Sequence, residues 1–159
     1  PAFVALGSNL DDPERQVERA FAALAHLPQS RLVSRSSVYR SAPFGPVVQP
    51  EFVNAVAGLL TTLDARVMLS ELKSLERRLG RETPVVRWGP RRIDLDLLVH
   101  GNARVDEPEI QVPHPGIAER AFVLIPLAEI APDLEVPGLG RVRTLASHVD
   151  ASGLVKIAA

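Results

Sequence analysis

Two aspartates at alternate positions of an apolar segment are the residues best suited to chemistry. Asp94 and Asp96 lie within IDLDLLV. The residues that alternate with them are apolar: Ile93, Leu95, Leu97 and Val99. On a strand, alternate residues project from one face about 6.6–6.8 Å apart, so we expect these four to face the core and the aspartates to face outward. Two neighbouring carboxylates repel each other unless a cation lies between them, and Mg²⁺ takes one or two carboxylates plus water and phosphate oxygens. The pair indicates a magnesium site; the alternative is a solvated strand face without function.

The segment before this strand is rich in arginine. Residues 81–92 contain Arg81, Arg87, Arg91 and Arg92, together with Trp88 and two prolines. A guanidinium is a planar fork that pairs with two phosphate oxygens at once. Arginines matched to phosphate, beside carboxylates that hold a metal, are the two halves of an electrostatic phosphoryl-transfer site. The alternative is a surface charge run paired with Glu76 and Glu82, but that explains neither the tryptophan nor the prolines.

Composition excludes several other kinds of chemistry. There is no cysteine, so disulfides and thiolate catalysis are excluded. A P-loop is excluded because G-x-x-x-x-G-K-[ST] does not occur, and Gly7-Ser8-Asn9 is equally well explained as a tight strand exit. The net charge of −1 gives no global attraction to nucleic acid or membrane. No apolar run approaches the ~20 residues of a membrane helix.

Three further residues indicate a flat substrate. Phe52 and Asn54 are alternate residues of a predicted strand, so an aromatic ring and an amide share a face. They could stack on a heterocycle and read its edge, and Phe122 could form the opposite wall. Core packing is the default for a single phenylalanine, but a buried amide needs hydrogen-bond partners. His114 lies between two prolines, so its backbone is restrained and its ring could donate to a phosphate.

The elements that position these residues follow from apolar periodicity and from proline and glycine breaks. Strands are expected over residues 2–8, 31–40, 51–62 and 93–99, with a small hairpin between 100 and 115. Helices are expected from Pro13 to Pro28, from Asp64 to a C-cap at Gly80, over 120–130, and weakly over 143–149. An aspartate, Asp11 or Asp12, is expected to cap the first helix. Hairpin-like spacing favours an α+β fold, and the length fits one domain over 1–159.

The motif RWGPRRIDLDLL, followed by VPHP and preceded near the start by LGSN, resembles the 6-hydroxymethyl-7,8-dihydropterin pyrophosphokinases of folate biosynthesis. The resemblance extends to about Asp133. It implies a ferredoxin-like α+β fold, with a mainly antiparallel sheet covered by helices in α/β/α layers. It also implies transfer of diphosphate from MgATP, the co-substrate, to the pterin hydroxymethyl group, with AMP as the second product.

The resemblance assigns roles residue by residue. Asp94 and Asp96 match the pair that binds two Mg²⁺ ions, and together with Arg81 and Arg91 they form the expected catalytic set. The positions implied around ATP are Glu76, Arg81, Arg87, Trp88, Arg91, His114 and Arg120. Those implied around the pterin are Phe52 and Phe122 as its aromatic walls, Asn54 at its edge, Trp88, and Phe44 in a loop over residues 41–46. Four positions depart from better-known members, namely Phe52 (often Tyr), Lys73, Glu109 and Gln111, and no general base is evident.

We therefore expect a cytoplasmic monomer that acts on ATP and hydroxymethyldihydropterin, with no nucleic-acid or membrane partner. Two alternatives stay open at this stage. A nucleotide-sensing or RNA-binding ferredoxin-like module could use the basic segment and the aromatics. A catalytically inactive scaffold in a complex of folate enzymes is the other. Magnesium dependence separates the first from an enzyme, and formation of AMP separates the second.

Overall fold

The computed structural model describes residues 1–10, 12–41, 51–80 and 93–158. Its strands are β1 (Ala2–Ser8), β2 (Ser30–Arg35), β3 (Val38–Ser41), β4 (Phe52–Thr61), β5 (Asp94–His100), β6 (Val105–Glu107), β7 (Ile110–Val112), β8 (Glu135–Val136), β9 (Gly140–Arg141) and β10 (Val155–Ala158). Its α-helices are α1 (Pro13–Leu24), α2 (Ala65–Gly80), α3 (Ala121–Ile130) and α4 (Val142–His148), and a 3₁₀ turn spans Ile117–Glu119.

One mainly antiparallel sheet organises the described residues. Its strand order is β10-β3-β4-β1-β5, and β2 also pairs with β4 to make six strands. Every pairing in it is antiparallel, with β4 and β1 at the centre and β5 at one edge. The α+β, ferredoxin-like prediction is confirmed. Among the described residues no helix is long and apolar enough to cross a membrane.

Helices cover both faces of the sheet, as the α/β/α prediction requires. One hydrophobic cluster joins β1, β4 and β5 to the apolar stripes of α1 and α2, including Phe21 and Met68. A second cluster on the opposite face joins Phe3 and Val56 to α3 and α4. Because α3 lies between the sheet and α4, its sequence AFVLIPLAEI is apolar on nearly all sides.

The two predicted helix starts differ in how they are capped. Asp64 caps α2, because its Oδ1 accepts a 2.8 Å hydrogen bond from Val67 N. Asp12 occupies the N-cap of α1 with φ 60°, and its side chain makes no capping bond. A residue that caps with its side chain normally has an extended backbone, and the left-handed conformation of Asp12 directs its carboxylate elsewhere. The prediction is therefore wrong for Asp12, while Asp11 lies outside the described residues.

The predicted strand 31–40 is interrupted at Ser36 and Ser37. Val56 N donates to Ser36 Oγ at 2.8 Å instead of to a backbone carbonyl, so a serine side chain replaces one ladder bond. Ser37 N is also diverted, because it donates to the carboxylate of Glu129 on α3 at 3.0 Å. The segment consequently forms two strands, β2 and β3, where alternation predicted one.

A bulge changes the faces of β5. Phe3 pairs with Val99 and Val4 with Leu97, so Leu98 is an extra residue in the ladder. Val99 therefore lies in the second cluster with Leu98, not on the same face as Ile93, Leu95 and Leu97 as alternation predicted. The bulge follows Asp96 and leaves the alternation at the two aspartates intact.

Candidate active site

The two aspartates project from the same face of the edge strand β5. Asp94 pairs with Gly7 and Asp96 with Ala5 on β1, while Leu95 between them is buried in the first cluster. Both carboxylates are half-buried. The predicted arrangement of an apolar inner face and an acidic outer face is confirmed at these positions. The pair offers oxygen ligands with room for water and phosphate, which suits Mg²⁺.

Glu76 of α2 lies directly beside this pair. Because β5 is an edge strand, the outward N–H of Leu95 has no strand partner, and it donates to Glu76 Oε2 at 2.7 Å. Burial raises the pKa of Glu76 to about 7, and the negative charge of Asp94 adds to the effect. The Leu95 bond and the charge of Lys73, whose Nζ is 3.7 Å from Glu76 Oε1, act in the opposite direction.

His114 is joined to β5 through its backbone. Its backbone N–H donates to Leu98 O at 2.8 Å, just after a cis Val112–Pro113 peptide bond. Gly116 N donates to His114 Nδ1 at 3.0 Å, which makes Nδ1 an acceptor and puts the proton of the neutral ring on Nε2. Burial lowers the pKa of His114, as does the charge of Arg120. The neutral ring therefore presents an Nε2–H donor at pH 7, which suits the predicted contact with phosphate.

Arg120 and Phe122 lie at the start of α3. The Arg120 Cζ is 5.9 Å from the Phe122 ring centroid. A Cβ at Gly116 would lie 2.7 Å from that same Cζ, so only glycine lets the guanidinium pack so closely. The ring of Phe122 packs against the second cluster and is only partly buried. The structure thus brings Arg120 and the predicted pterin wall together at one helix end.

A cavity of about 200 Å³ adjoins Asp96. It is lined by Leu69, Lys73, Asp96, Leu97, Pro108, Glu109, Ile110, Gln111, Val112, His114 and Pro115. Its lining combines apolar side chains with charged and amide groups, a mixture found in sites for small ligands. Three positions that depart from better-known members, Lys73, Glu109 and Gln111, line this one cavity. Glu109 is 3.2 Å from Arg66 in an exposed ion pair, and Gln111 Nε2 donates to Asp106 Oδ1 at 3.1 Å.

Two of the residues predicted to face the pterin, Phe52 and Asn54, lie on the central strand β4. Phe52 begins β4 opposite Ser41 of β3, and its ring is partly exposed. Asn54 is 5% exposed, and its Oδ1 accepts a 2.7 Å hydrogen bond from Ser41 Oγ. Asn54 pairs with Gly7, which in turn pairs with Asp94. Amide and carboxylate therefore lie in one row across the sheet.

Some predicted residues cannot be placed in this arrangement. Arg81, Arg87, Trp88, Arg91 and Phe44 lie outside the described residues. Within the described ranges, no group of three or more histidine, aspartate or glutamate side chains could hold a metal ion. Asp94 and Asp96 therefore remain the candidate metal ligands there, with the rest of the shell left to water and phosphate.

Sequence reasoning missed Gly7, which lies in this row, and Ser41, which donates to Asn54. Ser41 was considered only as the start of a loop, and Gly7 only as a strand exit. Their connection to Asn54 depends on the pairing of β1, β3 and β4, which are distant in sequence. A period-two pattern within one strand carries no information about that register.

Two carboxylates suited to Mg²⁺, together with a donor histidine and an arginine suited to phosphate, are the groups that a metal-dependent phosphotransferase needs. Residues 3–132 match the family model described as 7,8-dihydro-6-hydroxymethylpterin-pyrophosphokinase, and the chain belongs to this family.

Curated relatives agree with this assignment, and a solved structure shares the fold. A 2-amino-4-hydroxy-6-hydroxymethyldihydropteridine pyrophosphokinase of Pseudomonas aeruginosa is 48% identical over 135 residues, 85% of this chain and 83% of the relative. The enzyme of that name from Haemophilus influenzae is 39% identical over 98% of this chain and 97% of its own. The wild-type HPPK-DHPS of Plasmodium falciparum, solved with pteroate, shares the fold with a TM-score of 0.71 at 13% identity. That alignment covers 92% of this chain and 41% of the Plasmodium chain.

Proposed function

We propose that Asp94 and Asp96 hold the magnesium that accompanies ATP, in a site where ATP and a pterin meet. As a pyrophosphokinase of folate biosynthesis, the chain transfers the diphosphate of ATP to the hydroxymethyl group of 6-hydroxymethyl-7,8-dihydropterin. The products are the pterin diphosphate and AMP. The observation that carries the assignment of the site is the row Asp94–Gly7–Asn54, which aligns a metal-binding carboxylate with an amide suited to a heterocycle.

The reaction balances without a covalent intermediate on the protein. The hydroxymethyl oxygen forms a bond to the β-phosphorus and loses its proton, and the bond from that phosphorus to the oxygen bridging to the α-phosphate breaks. AMP leaves with the bridging oxygen. We propose two Mg²⁺ ions, which when bound neutralise phosphate charge and draw the nucleophile and the phosphates together. Asp94 and Asp96 fix their position from a rigid strand.

The remaining residues bind and orient the substrates. His114 donates from Nε2, and Arg120 from its guanidinium, to the phosphates, with Arg81, Arg87 and Arg91 neutralising the charge that develops. The cavity beside Asp96 takes the base and ribose of ATP, and Lys73, which lines it, lies 3.7 Å from Glu76. On the pterin side the proposed contacts are Phe52, Phe122, Asn54, Trp88 and Phe44. Catalysis is then positioning and electrostatics, with no general base from the protein.

The product of ATP distinguishes this function from its alternatives. Purified protein, incubated with ATP, Mg²⁺ and 6-hydroxymethyl-7,8-dihydropterin, should form AMP and no ADP. Neither nucleotide should form when the pterin is omitted or when EDTA is present. An inactive scaffold would form no AMP. An RNA-binding module would instead bind polyanions without magnesium and more weakly as salt rises. Formation of ADP, or turnover that ignores the pterin, would refute the assignment.

We further propose that residues 1–159 act as one monomeric domain in the cytoplasm on these two small molecules. Asp94 and Asp96 favour small-molecule substrates over nucleic acid, because aspartates without a bound metal repel a phosphate backbone. Sedimentation with and without MgATP would test the monomer: a mass that fits two chains at working concentration would contradict it.

A further inference from the structure

We propose that Ser41 is a positioning residue: its hydroxyl sets the orientation of the Asn54 amide, and Gly7 keeps the space in front of that amide open for the pterin. The inference rests on the proposed function and deepens it. It concerns how the pterin is read before any chemistry begins.

The contact between Ser41 and Asn54 is buried and short. Ser41 is 7% exposed and Asn54 5%, and Ser41 Oγ donates to Asn54 Oδ1 at 2.7 Å. A side-chain amide has two nearly isosteric orientations, which exchange a carbonyl acceptor for an NH₂ donor. A donor held against Oδ1 favours one of them. Because both residues lie on paired strands, β3 and β4, the bond is maintained by the sheet.

The other end of the amide has no hydrogen-bond partner among the residues that the structure describes. Among the described residues, no hydrogen bond uses Asn54 Nδ2. A buried NH₂ group without an acceptor costs about 1–3 kcal/mol, so native proteins rarely leave one unexplained. The group is suited to an acceptor supplied by a ligand, such as a ring nitrogen or carbonyl of a pterin.

Gly7 provides the space in which such a ligand would lie. A Cβ at Gly7 would be 3.2 Å from Asn54 Nδ2, and no other atom of the described residues comes within 4 Å of that position. Within the described part of the chain, no side chain other than that of Asn54 therefore occupies the space beside Gly7. Any larger residue at this position would crowd the donor from the side of β1.

The row also has a span that suits the substrate. Gly7 separates Asn54 from Asp94 by two strand spacings, so their backbones are about 9.5 Å apart. A bicyclic ring read at one edge by Asn54 can extend its hydroxymethyl group over Gly7 towards the carboxylates. Correct orientation of the amide thus fixes the direction in which the nucleophile points, as well as affinity.

Binding measurements on single and double variants test this inference. In a fluorescence titration with 6-hydroxymethylpterin, Ser41→Ala should raise the dissociation constant of the pterin about three- to tenfold, the loss expected for one buried hydrogen bond. Ser41→Thr, which keeps the hydroxyl, should restore most of the affinity. In a background of Asn54→Ala, Ser41→Ala should have no further effect, because the serine acts only through the amide. The dissociation constant of MgATP should stay the same in Ser41→Ala and Ser41→Thr.

A buried hydroxyl elsewhere in the sheet gives the matched control. Ser36 is 3% exposed and its Oγ contacts only backbone groups, so Ser36→Ala should lower stability and leave pterin affinity unchanged. Gly7→Ala should weaken pterin binding by more than Ser41→Ala does, since the added methyl group occupies the space beside the Asn54 amide. The inference is overturned if Ser41→Ala binds the pterin normally, or if its loss persists in the Asn54→Ala background. If the wild-type protein still forms AMP, either result refutes only the role of Ser41 and leaves the proposed function standing.

Discussion

The acidic pair, Asp94 and Asp96, owes its geometry to the positions of single residues along β5. Asp94 and Asp96 owe their common face to alternation along β5, and their partial burial raises the cost of leaving two like charges uncompensated. The sequence predicted this feature correctly because it is local: neighbours at alternate positions decide which way a strand residue points. The same reasoning could not reach Ser41, whose role depends on a partner thirteen residues away.

Replacing one aspartate tests the metal site directly. Asp96→Ala should reduce kcat for AMP formation by about 100-fold or more, because charge stabilisation in a transition state is lost. The fold should survive, since Asp96 faces the cavity and not the core. Steady-state kinetics over a range of Mg²⁺, with circular dichroism as the check on folding, would measure both. Near-normal turnover in a folded variant would remove Asp96 from the metal site.

Glu76 predicts a pH dependence of stability. Its pKa is raised by burial from 4.5 to about 7, so between these values the unfolded chain has released a proton that the folded chain retains. The free energy of unfolding should therefore fall as pH rises from about 4.5 to 7, and level off above. Glu76→Gln should remove this slope and stabilise the protein by roughly 1–3 kcal/mol at about pH 8, with little effect near pH 4.

Urea unfolding in EDTA at several pH values measures this effect without bound metal. Glu71→Gln on the same helix is the matched control, because it deletes one carboxylate and leaves the contact between Glu76 and Leu95 intact. The account of Glu76 fails if the slope survives in Glu76→Gln or disappears in Glu71→Gln.

At the scale of elements, one carboxylate joins the last turn of α3 to the sheet. Glu129 accepts hydrogen bonds from Ser37 Oγ at 2.6 Å and from Tyr39 Oη at 2.8 Å, besides Ser37 N. Partial burial works against ionisation of Glu129, but these bonds outweigh it and lower its pKa. Burial and the bond to Glu129 raise the pKa of Tyr39 to about 12. Glu129, Ser37 and Tyr39 together form a clamp, which holds β3 against α3.

Removing the charge of this clamp should loosen the helix. Glu129→Gln replaces one acceptor oxygen by a donor, so it should lower the free energy of unfolding by about 1 kcal/mol at pH 7. The lowered pKa means that the difference should shrink as pH falls through that pKa and Glu129 becomes protonated in the wild type. Glu135→Gln breaks an exposed pair with Arg141 and should cost less than about 0.5 kcal/mol. Equal losses in the two variants would show that the clamp adds nothing beyond a surface charge.

Elements also show where prediction from sequence stops. Apolar periodicity located α1, α2, α3 and β4 to within a few residues, because each buries a continuous stripe. It missed the break between β2 and β3, which depends on a carboxylate 92 residues away from Ser37. It also missed the bulge at Leu98 and the short strand β10, since these are decided by pairing and not by local pattern.

At the scale of the whole molecule, the proposed site extends from the edge strand β5 to the central strand β4. Asp96 lines the cavity against α2 and β7, while Asp94 lies in register with the amide of Asn54 across Gly7. Net charge gave no indication of this, because −1 averages an arginine-rich segment with the acidic pair. The motif predicted the chemistry and its residues, while the sheet register supplies their arrangement.

The central claim, that both terminal phosphates of ATP pass to a pterin as one unit, is tested most directly by isotopic labelling. ATP carrying radioactive phosphorus only in its β-phosphate is incubated with the protein, Mg²⁺ and 6-hydroxymethyl-7,8-dihydropterin, and the products are separated. The account predicts that all transferred label appears in the pterin diphosphate and none in AMP. Label retained in ADP, with an unlabelled pterin monophosphate, would contradict it.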